Sequence, residues 1–167
     1  MKNSTISPGG IILTALLIFL LLKLFIFDIM VVRGHSMEPT LLSGELIVIS
    51  RCAYGLLIPF VNHYMINWAG PKRDDIVVLI SPEKGNVIVK RCIATAGESF
   101  DINNGYLRVD EHQYPYEHPD GIAETFTCTV VPDKTILVLG DNPPHSVDSR
   151  MFGFVPLSRV LGSVICF

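Results

Sequence analysis

The run from Ile11 to Val32 constrains this chain more than any other stretch. Ile11 to Leu22 reads IILTALLIFLLL with Thr14 as its only polar side chain, and apolar text resumes after Lys23 and again after Asp28. A helix that is apolar on every side has no water-facing surface, so it belongs in lipid or in a core. At about 1.5 Å per residue, a helix to Phe27 spans roughly 26 Å and one to Val32 roughly 33 Å, which brackets a bilayer core of about 30 Å. Lys23 and Asp28 fall toward the C-terminal end, where a lysine stem can carry its charge to the interface. Phe25-Ile26-Phe27-Asp28 offers no small residues for removal of the segment. The sequence therefore predicts a tail over residues 1–10, one uncleaved transmembrane anchor over 11–32, and a folded domain over 33–167. The few flanking charges leave the orientation of the anchor open.

A chain of 167 residues with 49% hydrophobic and only 17% charged residues is too apolar for disorder, and unusual for one held wholly in water. A net charge of −3 argues against a nucleic-acid partner. Past the anchor no segment keeps a helical apolar period, and the text reads as strands. Residues 45–50, 75–80, 86–93 and 134–139 are β-branched runs bounded by Gly, Pro, Asp or Ser, and their continuous apolar character suggests burial on both faces. Asn103-Asn104-Gly105 predicts a tight hairpin between residues 100–102 and 106–109, because both central positions of such a turn want positive φ. Residues 110–132 carry little pattern and read as a loop-rich excursion. Cys52, Cys92, Cys128 and Cys166 form no CxxC, and Cys92 and Cys166 sit in strand-like text as buried thiols. The spacing of His112, His118 and Cys128 fits no zinc pattern, so neither a metal nor another cofactor is expected.

Chemistry concentrates in three places. Gly34-His35-Ser36-Met37-Glu38-Pro39 follows the apolar run at once. Lys90 stands inside the strand Val87-Ile88-Val89-Lys90-Arg91-Cys92-Ile93, where alternation places Lys90 and Arg91 on opposite sides, so one of these charges must face inward or lie at an edge. A desolvated lysine loses its proton readily and can act as a base toward a serine hydroxyl. The third place is Gly140 to Val155, a polar, turn-rich stretch directly after an apolar strand. His145 lies beside Ser146, too near in sequence for an easy Ser-His-Asp arrangement with Asp148.

SMEPTL at 36–41, RDDIVVLISP at 73–82, KRCIATAGE at 90–98 and GDNPPHSVDSRMFGFV at 140–155, in this order behind an anchor, resemble the bacterial type I signal peptidases, membrane-anchored Ser/Lys proteases. The resemblance covers nearly the whole chain. It implies an all-β catalytic domain of antiparallel sheets behind one N-terminal transmembrane helix, with Ser36 as nucleophile and Lys90 as general base. Ser146 is implied to orient the lysine, and Asp148 with Arg150 to hold the loop by a salt bridge. The Ser36 backbone N–H is implied as an oxyanion donor, and Gly34 stands where some members carry a second, hydroxyl donor. Substrate pockets are expected around Met37, Val87, Ile88 and Val89. The implied substrates are signal-peptide-bearing preproteins, cleaved by a single-pass enzyme of the bacterial cytoplasmic membrane. Its domain faces outward, its tail lies in the cytoplasm, phospholipid surrounds it, and a monomer is expected. Asp74, Ala96, Glu98 and the Pro143-Pro144-His145 run depart from the family pattern. A specialised relative that matures a pilin or a narrow set of secreted proteins, and a catalytically idle anchored β module, remain as alternative readings.

Overall fold

The computed structural model describes residues 7–58, 63–116, 126 and 129–166. Helix α1 (Pro8–Phe25) leads into β1 (Phe27–Val31), and β2 (Leu46–Ser50) follows after a tight segment that carries Ser36. A hairpin of β3 (Gly55–Ile58) and β4 (His63–Asn67) precedes β5 (Ile76–Ile80) and the long β6 (Val87–Thr95). Strands β7 (Asp101–Asn103), β8 (Tyr106–Val109) and β9 (His112–Pro115) form a separate antiparallel sheet. The chain returns through β10 (Thr135–Leu139), a one-turn helix α2 (Ser149–Phe152), β11 (Val155–Pro156) and β12 (Val160–Cys166). The main antiparallel sheet runs β1-β2-β12-β5-β6-β10-β11, so the domain is all-β as expected.

The expected helix to Val32 is corrected at its C-terminal end. Helix α1 stops at Phe25, and residues 27–31 pair with β2, Phe27 opposite Ser50 and Val31 opposite Leu46. The reason lies in the alternation after Phe25: Phe27, Ile29 and Val31 are exposed, Met30 is half-buried, and Val32 just beyond the strand is buried in the core. Period-2 burial with β-branched residues is strand chemistry, which a continuous apolar run hides. Among the described residues no helix is long and apolar enough to cross a membrane.

The four strand expectations hold to within two residues at each end. Strands β5 and β10 are buried almost throughout, whereas β2 alternates and is one-sided. The Asn-Gly hairpin forms with φ of 51° at Asn104 and 76° at Gly105. Within the expected loop 110–132, residues 112–115 instead form β9, whose Tyr114 pairs with Leu107. His118 and Cys128 lie outside the described residues, and Cys52 and Cys92 are free thiols, Cys92 buried. Asp74 has a φ of 70°, so its place in the turn before β5 is left-handed, a conformation Asp tolerates better than most. Glu98 accepts from Arg73 and caps the Thr95 turn, and Arg73 reaches on to Asp110 at 2.7 Å, tying the turn after β8 to the end of β6.

Candidate active site

Strand β6 sets Lys90 opposite Val77 of β5 within the main sheet, where its burial reaches 97%. Its Nζ lies 2.7 Å from Ser36 Oγ, although 54 residues separate them. Burial pushes the Lys90 pKa down to about 8; the Asp148 carboxylate opposes that shift and the Arg150 guanidinium adds to it. A lysine that is half neutral near pH 8 and touches a serine hydroxyl can accept its proton. Ser36 is held from below by Met37 and Leu41, which are buried against Ile47, Ile76 and Val78. Hydrophobic packing thus fixes Ser36, whose polar neighbours are Lys90 of β6 and the loop after β10.

That loop is organised around a carboxylate. Asp148, with no exposed surface, takes Arg150 Nε on one oxygen and Nη2 on the other, together with the Arg150 and Gly140 backbone N–H groups and the Ser146 hydroxyl at 2.6 Å. A buried charge is tolerable only when satisfied in this way, and the bidentate fork fixes the loop's geometry. The expected Asp148–Arg150 pair is therefore present. The Ser146 proton goes to Asp148; no Ser146–Lys90 bond exists among the described residues. The hydroxyl is nonetheless at the site, because a Cβ built on Gly140 would strike Ser146 Oγ and come within 2.5 Å of the Ser36 carbonyl. Only glycine fits at this crossing of the loop and the Ser36 backbone.

Further residues complete the site without having been singled out by sequence. Arg91 leaves β6 on the side opposite Lys90 and grips Asp141 through Nε at 2.8 Å and Nη2 at 2.6 Å, anchoring the start of the loop. Burial alone would raise the Asp141 pKa, but the bonds from Arg91 and Thr40 hold it below its ordinary value. Ser149 Oγ accepts the Val138 N–H at 3.0 Å, next to the register shift between Leu137 and Val138. The adjacent Asp-Ser-Arg text carried the signal for Ser149, and the opposite-sided charges at 90 and 91 carried it for Arg91. His145 packs edge-on against His35 at 6.5 Å, while the Ser36 hydroxyl has Lys90 as its partner.

A groove of about 500 Å³ opens beside the pair. Met30 to Arg33 line one wall and Asn86 to Lys90 the other, with Ser36 and Met37 between them. Val87, Ile88 and Val89 line this groove, as does buried Met37. Among the described residues both walls are sheet edges: β1 pairs only with β2, and β10 joins β6 only from Arg91 onward. An extended peptide laid here would find free backbone groups on both sides. Among the described residues the Ser36 N–H has no acceptor, and no cluster of His, Cys, Asp or Glu could hold a metal ion.

Comparison with known proteins gives the same direction. Residues 5–167 match the family described as signal peptidase, peptidase S26. Signal peptidase I of Bacillus caldolyticus is 34% identical, over 86% of this chain and 80% of its own. A probable signal peptidase I-1 of Synechocystis is 28% identical over 93% and 78%. The crystal structure of a signal peptidase I from Enterococcus faecalis has 28% identity and a TM-score of 0.47, covering 57% of this chain and 97% of that one. The chain belongs to the signal peptidase family, peptidase S26, and is a serine endopeptidase.

Proposed function

We propose that this protein removes N-terminal signal peptides from exported preproteins with a Ser36/Lys90 dyad. The observation that carries the reading is the 2.7 Å contact between a buried lysine amine and the serine hydroxyl at the floor of a two-edged groove. Neutral Lys90 takes the Ser36 proton as Oγ bonds to the scissile carbonyl carbon. The resulting oxyanion is met by the Ser36 N–H. As the C–N bond breaks, Lys90 returns the proton to the leaving amine, the new N-terminus of the mature protein. Water then gives a proton to Lys90 as its oxygen bonds to the acyl carbon, and when the ester C–Oγ bond breaks Lys90 returns that proton to Ser36 Oγ, releasing the signal peptide with a new C-terminal carboxylate. Asp148, held by Arg150, draws the Ser146 proton toward itself and leaves the Ser146 oxygen free to receive a proton of Lys90, which supports a role for Ser146 in orienting the base.

The membrane is the proposed setting. Helix α1 leaves Ile11, Ile12, Leu13, Leu16 and Phe19 more than half exposed, and Ile29 and Leu46 add apolar surface on β1 and β2. At about 1.5 Å per residue α1 reaches roughly 27 Å, a length that local bilayer thinning and a snorkelling Lys23 can accommodate. With α1 as the anchor and the domain on the outer face, Ser36 stands beside the bilayer where a signal peptide's cut emerges.

Walls that include Val32, Val87 and Val89 support a specificity for small side chains at the first and third positions before the cut. The test is a set of precursors ending in Ala-x-Ala with either Ala replaced by Leu, incubated with the detergent-solubilised full chain. Cleavage directly after the second Ala, lost on either replacement, is expected; equal cutting of all precursors contradicts the reading.

A further inference from the structure

Asn142 opens the short 3₁₀ turn Pro143–His145 as its N-cap residue, yet its side chain makes no cap bond there. Instead Nδ2 donates to the His35 carbonyl at 2.9 Å, across 107 residues of sequence, while the Asn142 backbone N–H donates to the Ser36 carbonyl at 3.0 Å. The two bonds clamp the peptides on either side of the nucleophile's Cα. The first has the sharper consequence. The His35 carbonyl and the Ser36 N–H belong to one planar, trans peptide group, so fixing the oxygen fixes the direction of the N–H on its opposite edge. Donation to that carbonyl also polarises the group and strengthens the N–H as a donor. Among the described residues the only other bond to the same oxygen comes from the Glu38 N–H at 3.4 Å, long for a backbone bond. Gly34 brings no side chain to share the load.

We propose that Asn142 is a positioning residue for acyl transfer, its side-chain amide aiming the Ser36 N–H at the oxyanion. The inference rests on the reading of Ser36 as the nucleophile. In other hydrolases the loss of a whole oxyanion donor lowers kcat by about 10²–10³-fold. Here the donor stays and loses its aim, so a fall of about tenfold or more is expected.

The test compares the full chain with Asn142→Ala and Asn142→Asp, measuring precursor cleavage and binding of a peptide boronate that forms a tetrahedral adduct on serine. Both variants keep the backbone bond to Ser36; the Asp form keeps the shape and turns an acceptor toward the His35 carbonyl. Expected are a kcat at least about tenfold lower in both and a KM within about twofold. The pH dependence should not move, and boronate affinity should fall by the same factor as kcat/KM. Unchanged kcat in either variant overturns the proposal, as does a loss confined to KM, or one accompanied by a displaced pH limb or a large fall in Tm. If the parent binds the boronate but leaves every precursor uncut, only the substrate reading fails, and boronate affinity alone decides the role of Asn142. If the parent does neither, the nucleophile assignment fails and this inference with it.

Discussion

Lowering the Lys90 pKa to about 8 by burial has two consequences that can be measured on one preparation. The first is kinetic. With the neutral amine as base, about one molecule in eleven is competent at pH 7, about half at pH 8 and about ten in eleven at pH 9. The kcat/KM for a fixed precursor should therefore rise about fivefold from pH 7 to pH 8 and about tenfold from pH 7 to pH 9. The second is thermodynamic. A depression from 10.5 to about 8 corresponds to roughly 3 kcal/mol spent on holding the charge inside the fold. The unfolded chain binds the proton more tightly between those two values, so stability rises with pH from about 8 to 10.5, and the cost is fully present below 8. Lys90→Met removes the charge but leaves Ser36 Oγ without its donor, a loss of about 1 kcal/mol. The variant should be inactive and about 2 kcal/mol more stable than the parent at pH 7, with the advantage gone above pH 10.5. Initial rates from pH 6 to 9.5 and urea midpoints at pH 7 check both. A flat rate profile between pH 7 and 9, a limb near 10.5, or a variant less stable than the parent at pH 7 would refute the reasoning.

The loop after β10 supplies the other expectations. Gly140→Ala should lower cleavage more than about 100-fold, because the added methyl meets Ser146 Oγ and the Ser36 carbonyl; rates alongside circular dichroism separate this from unfolding. Arg150→Met leaves the Asp148 charge buried without its cation and should cost about 3–5 kcal/mol, read from urea titration. Ser149→Ala strips the Val138 N–H of its acceptor inside the core and should cost about 1–3 kcal/mol in the same assay, with KM little changed.

Much of this architecture was legible because its strands are short, β-branched and punctuated. Residues 75–80 and 134–139 read as buried strands from their short, β-branched apolar runs, and Asn104-Gly105 marked its own turn. The junction of α1 and β1 was not legible, since a run apolar at every position carries neither a helical nor a two-residue period. The alternation appears only once β2 supplies a partner for residues 27–31. Strand β9 was hidden for the opposite reason: His112-Gln113-Tyr114 is polar and gains its order from pairing with β8. At the site, Ser36, Lys90, Asp148 and Arg150 were visible through their motifs. Asn142, Asp141 and Ser149 act through contacts made 11 to 107 residues away, which spacing cannot display. Asp74 is intelligible only through its positive φ, which explains a turn residue in a place where glycine is usual.

The central claim is that Ser36 and Lys90 together cut a signal peptide from its precursor. The most direct measurement is the intact mass of both products after incubating the parent, Ser36→Ala and Lys90→Ala with a precursor whose signal ends in Ala-x-Ala. The account predicts one new N-terminus immediately after the second Ala with the parent and uncut precursor with both variants. Cleavage by Lys90→Ala, or a parent that cuts elsewhere, would contradict it.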